Sequence, residues 1–136
     1  MTEPAGPAPG VIPRLLHLVF CSGFMIFLAV AWFISRQMTP TPLPDLVIYL
    51  PVVVGAVMFT GALMLRTRLL DRDAPNSADW WRANLQRVIL LWALFEGPGL
   101  FGAVIFLVSG VWIPLIASII GLLLLVFHSP DQLRPE

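Results

Sequence analysis

Residues 88–108 read VILLWALFEGPGLFGAVIFLV. Arg87 stands before this stretch, Ser109 and Gly110 follow it, and Glu96 is its one ionisable side chain. At about 1.5 Å of rise per residue, a helix of this length covers about 30 Å, the hydrocarbon thickness of a bilayer. Pro98 removes one backbone donor, a loss that membrane helices tolerate when a neighbour re-satisfies the freed carbonyl. The stretch reads as a transmembrane helix with an acid near its middle.

The surrounding sequence has the same character. Apolar runs also occupy residues 15–34, 46–65 and 111–127. Of 136 residues, 58% are hydrophobic and 12% charged, with mean hydropathy +0.88. Soluble domains hold roughly 45–50% apolar and 25% charged residues, so a core of this size cannot hide so much apolar surface from water. The formal net charge is zero and no basic stretch is present to follow a phosphate backbone, which excludes a nucleic-acid binder. The single cysteine, Cys21, excludes an internal disulfide framework.

Between the runs lie the connections. Residues 1–13, rich in Pro, Gly and Ala, read as a flexible tail. Pro40, Pro42 and Pro44 alternate in a short extended loop, with Asp45 placed to cap the next helix. The long polar segment, residues 66–86, carries Arg66, Arg68, Asp71, Arg72, Asp73, Asp79 and Arg82. Asn76 or Ser77 is suited to start a third helix that runs through Trp80 and Trp81 before entering the membrane after Arg87. Ser109 and Gly110 make a tight turn, and His128, Ser129 and Pro130 end the last run.

The chain therefore reads as an all-α integral membrane four-helix bundle made of two helical hairpins. Spans are expected near 12–36, 45–66, 77–108 and 111–128, within a transmembrane domain of residues 14–128 and followed by a C-terminal tail of residues 129–136. With four spans, Arg14, Arg66, Arg68, Arg72, Arg82, Arg87 and Arg134 share one side and Arg36 stands alone on the other. That asymmetry places the N and C termini in the cytoplasm and the protein in the inner membrane as a multi-pass chain. A secretory signal ending at Ala29, Val30 and Ala31 is the competing reading of the first run; the apolar residues Trp32, Phe33 and Ile34 beyond it argue against cleavage.

Glu96 is the principal candidate for function. It lies nine residues past Arg87, about 13 Å into the membrane at helical rise, where acids are costly and mark function by default. Three roles are open to it: a protonated, hydrogen-bonded structural acid, a proton- or cation-binding group, or a subunit contact. His17 on the first span and Thr60 on the second are at depths suited to reach it. Ala93, Gly97, Pro98, Gly99, Gly102 and Ala103 strip bulk from the same helix and suit close helix packing. Pro98 leaves the Leu94 carbonyl without its helical donor, which the Glu96 side chain or a neighbouring helix is placed to replace.

Residues 93–105, ALFEGPGLFGAVI, resemble the ion-binding helix of rotary ATPase proteolipids, the c/K-type subunits, in their Ala-Leu-x-Glu run, aromatic-Gly pair and apolar tail. That resemblance implies proton or Na⁺ binding at Glu96. The family's acid sits on the second or fourth helix, whereas Glu96 is on the third. The family's preceding helix is densely lined with glycine, whereas the second span here has only Gly55 and Gly61. The same Arg, then Ala-Leu-x-Glu-Gly, pattern also resembles small uncharacterised four-span bacterial membrane proteins, a likeness that implies no activity.

Trp80, Trp81, Arg82 and Arg87 read as an interfacial anchor. His17 and His128 lie on different helices without ligand spacing, so no metal site is expected, and no nucleotide loop, nucleophile elbow, haem motif or redox Cys pair points to an enzyme or a cofactor. The expected role is a non-enzymatic structural or accessory subunit of a membrane complex, with lipid and either further copies or other subunits as partners. The alternative is a proton- or cation-binding protein built on Glu96.

Overall fold

A computed structural model describes residues 10–70 and 76–133, with no strand among them. The first three helices are α1 (Val11–Ser35), α2 (Asp45–Leu69) and α3 (Ser77–Ser109). They are followed by α4 (Leu115–Phe127) and a single turn, α5 (Pro130–Leu133). The first three are long and apolar enough to cross a membrane. Large apolar side chains such as Leu18, Ile26, Phe33, Leu46, Val57 and Met64 cover the outside of the bundle. A soluble surface does not tolerate so extensive an apolar exterior.

Local chemistry sets the helix ends. Pro44, not Asp45, is the N-cap of α2, and Asp45 is its first helical residue, a carboxylate beside the positive end of the helix dipole. Asn76 caps α3: its Oδ1 accepts the Asp79 amide at 3.0 Å, while its Nδ2 donates to the Asp79 carboxylate at 2.8 Å. Gly110 ends α3 in the left-handed region at φ 68°, where a side chain is disfavoured. The α1–α2 loop is hooked onto this end, because the Thr41 amide donates to the Val108 carbonyl at 3.0 Å.

Of the two expected hairpins the second, α3 with α4, forms, while the first gives way to a hub. α3, the longest helix at 33 residues, packs against α1, α2 and α4, whereas α1 and α2 share at most a marginal contact with each other. Close approach explains the choice. A Cβ at Gly99 would overlap the Phe24 ring of α1, and one at Gly102 would overlap the Pro114 carbonyl at the start of α4. At Gly121 of α4 a Cβ would come within 2.5 Å of the Phe95 carbonyl oxygen of α3. The fully buried Ser118 hydroxyl completes this seam by donating to the Gly99 carbonyl at 2.6 Å.

The fourth helix is shorter than the run of residues 111–128 suggests. α4 has 13 residues, about 20 Å at helical rise against the roughly 30 Å of hydrocarbon. Pro114 disfavours a helical Ile113, so residues 112–114 enter through tight turns, in which Leu115 donates to Trp112 and Ile116 to Ile113. The expected C-terminal tail also departs from expectation, since α5 folds back and buries Pro130 and Leu133.

The glycines make a graded test of the seam. Gly102→Ala places its methyl against backbone that cannot swing away, and is expected to cost about 1–3 kcal/mol. Gly97→Ala has no atom within 4 Å of the new methyl and should leave stability unchanged or slightly raised. Unfolding of the two variants in detergent checks this; equal stability would show that the α3–α4 approach is not close in solution.

Candidate functional site

Glu96 is half-buried on α3, beside the exposed Ala93 and Gly97. Among the described residues no hydrogen bond or ion pair reaches its carboxyl. The expected partners are engaged elsewhere. Thr60 faces outward, because α2 buries the row Ile48, Pro51, Gly55, Phe59 and Ala62 instead. His17 points its Nε2 at the Leu125 carbonyl of α4, 2.9 Å away. A carbonyl accepts, so His17 donates there. The Ser118 hydroxyl goes to Gly99, one turn beyond the Leu94 carbonyl that Pro98 frees.

The polar groups gather instead around Trp92, which is fully buried. Its Nε1 donates to the His128 carbonyl at 2.9 Å, and its ring lies 5.0 Å from the His17 ring and 5.9 Å from Phe20. His128 follows the last residue of α4. Its Nδ1 donates to the Leu124 carbonyl at 2.8 Å, its Nε2 accepts from Arg66 Nη1 at 3.2 Å, and its ring packs on Phe95. At the end of α4 the Leu124 carbonyl keeps its helical donor, the His128 amide, and adds the His128 ring, the Leu125 carbonyl accepts from His17 of α1, and the His128 carbonyl just past the helix accepts from Trp92 of α3. Arg14 pairs with Asp131 at 2.7 Å nearby, an exposed contact worth little by itself.

Because these donors go to backbone carbonyls, the arrangement is a polar clasp on the end of α4. The Cys21 sulfur lies 3.6 Å from His17 Nε2, the nitrogen committed to Leu125, and 4.0 Å from Nδ1, the one left to act as a base. A thiol–imidazole pair for nucleophilic chemistry needs the sulfur on the free nitrogen. Among the described residues no group of three or more His, Cys, Asp or Glu side chains is placed to hold a metal ion.

The remaining sequence candidates divide. Pro98, Gly99, Gly102 and Ala103 are buried in the helix seams, whereas Ala93 and Gly97 face out. Trp80 and Trp81 are buried in an edge-on pair 4.8 Å apart, turned into the packing rather than out toward headgroups. Their neighbours Leu85 and Leu70 join the same cluster, which gives the rings more apolar contact inside than an exposed position offers. Arg82 is exposed and pairs with Asp79 at 3.2 Å, and Arg87 is exposed. Sequence reasoning passed over Trp92 altogether. The available signal was that a Trp so deep in an apolar run must find an acceptor for its N–H.

The clasp predicts a stability cost for losing one of its hydrogen bonds. Trp92→Phe keeps the ring but removes the donor to the His128 carbonyl, and is expected to cost about 1–3 kcal/mol, read by melting in detergent. An unchanged melting curve would show that this bond does not hold the end of α4. Comparison with protein-family models, with curated proteins and with solved structures finds no match.

Proposed function

We propose that the chain is a small four-span protein of the bacterial inner membrane that acts as a non-enzymatic accessory subunit of a membrane complex. The observation that carries this reading is the outward face of α3. Glu96 has no hydrogen-bond partner among the described residues, and next to it Gly97 has open space where its neighbours Gly99 and Gly102 are filled. A half-buried acid without a partner is costly in lipid, and a small-residue patch beside it lets another helix approach and supply one.

Topology is supported by contacts at one end of the bundle. Arg14 at the start of α1 meets Asp131 after α4, and Arg66 at the end of α2 meets His128. An even number of crossings brings these ends together, and the arginines gathered there favour the cytoplasm. α4 then crosses with help from the turns before it and the residues after it.

A second reading, proton or cation binding at Glu96 as in the rotary ATPase proteolipids, rests on the same unpartnered carboxyl. Carbodiimide labelling separates the two: protection by Na⁺ or by raised pH favours ion binding, and an unreactive Glu96 favours a subunit seam.

Gly97→Leu and Glu96→Gln are expected to dissolve a higher-order species on native gels of detergent extracts while leaving the monomer folded. A wild-type chain that migrates as a monomer in every mild detergent would overturn the subunit reading. For topology, a C-terminal reporter that works only in the cytoplasm should be active.

A further inference from the structure

The end of the bundle away from the clasp carries a different chemistry. Here the C-terminus of α1, the loop after it and the turn between α3 and α4 enclose a half-open cavity of about 210 Å³. Its lining includes Trp32, Phe106 and Trp112 together with Arg36, Pro40 and Gly110. The rings hold one another. Trp32 meets Trp112 edge-on at 4.6 Å and stacks on Phe106 at 6.0 Å, and Phe106 lies 5.5 Å from Trp112. The guanidinium of Arg36 lies over the Trp32 ring, 4.5 Å from its centre.

Arg36 is the one arginine outside the group that the positive-inside rule gathers, and among the described residues no carboxylate lies within ion-pair distance of it. Stacking on Trp32 positions the guanidinium while leaving its edge N–H donors free, because the ring contacts the face of the fork. A planar fork with free edges matches the oxygens of a phosphate, which it binds with charge-assisted hydrogen bonds. Next to it Trp112 is 60% exposed, although it stands in an otherwise packed aromatic cluster. A guanidinium without a counter-ion, an open cavity and an unfilled aromatic wall occur together where α1 and α3 end.

We infer that this cavity is a binding site for a phosphate-bearing headgroup of a membrane phospholipid, with the phosphate on Arg36 and the glycerol and first acyl carbons against Trp112. The inference rests on the membrane reading of the chain but not on its role as a subunit, so failure here leaves the Glu96 proposal standing. An interfacial Trp–Arg anchor, by contrast, contacts bulk lipid without a saturable site.

The test is native mass spectrometry of the full chain in detergent, titrated in separate arms with phosphatidylglycerol and with glycerol phosphate. One saturable phosphatidylglycerol is expected on the wild type. Arg36→Gln should weaken it about tenfold, as the loss of a charge-assisted contact implies. Trp112→Ala should also weaken it; because its ring packs on Trp32 and Phe106, melting curves of both variants separate lost binding from lost folding. Arg36-dependent binding of glycerol phosphate with similar affinity would support the phosphate site and assign it to a soluble ligand rather than a lipid. Phosphatidylglycerol bound as tightly by folded Arg36→Gln as by the wild type would overturn the inference.

Discussion

The C-terminal turn of α4 is the constraint around which the bundle closes. A helix of 13 residues ends with carbonyls that have no helical donors, and an apolar surrounding has no water to replace them. An unmet carbonyl costs about 1–3 kcal/mol when buried. Leu125 is satisfied by His17 and the His128 carbonyl by Trp92, while Leu124, which keeps the His128 amide as its helical donor, accepts the His128 ring as well. Each donor comes from a different place in the chain. The bonds that close α4 therefore also fix the rotation of α1 and the depth of α3.

That closure explains why α3 and not a hairpin partner organises the fold. Trp92 must reach the end of α4, and the helix carrying it can approach only where side chains vanish. Gly99, Gly102 and Gly121 provide that approach, and Ser118 seals it with a hydrogen bond to Gly99. Pro98 is buried in the same stretch. α1 joins the seam through Phe24, whose ring occupies the space above Gly99. Dispersion contacts of this kind are the chief driving force available where lipid is as apolar as the side chains themselves.

The helices were legible because their apolar runs are long and their boundaries chemically marked. Three of the four expected spans match α1, α2 and α3 within a few residues. The fourth was overread, because hydropathy continues through Val111, Trp112 and Ile113 while Pro114 governs the backbone. Partner choice was not legible. His17 and Glu96 sit at compatible depths, but depth says nothing about rotation, and an orphan carbonyl at the end of α4 is invisible in a string of side chains. The burial of Trp80 and Trp81 was hidden for the same reason: a Trp pair beside arginines looks alike whether the rings turn inward or outward.

The polar groups of the chain are consequently sorted by how much of their bonding capacity the fold consumes. At the clasp, His17, His128 and Trp92 spend their donors on backbone, and what remains is structural. Midway along α3, Glu96 keeps its capacity, since the hydroxyls and imidazoles that might have met it face other ways. At the far end Arg36 is positioned by Trp32 and left without a counter-ion among the described residues. A fold that closes its backbone with such economy has no structural need for an unmet acid in the membrane or an unmet guanidinium at its edge. An external contact to either group would add bonding that the described residues do not supply. The same distribution of hydrogen bonds therefore directs attention to these two residues, which lie outside the clasp.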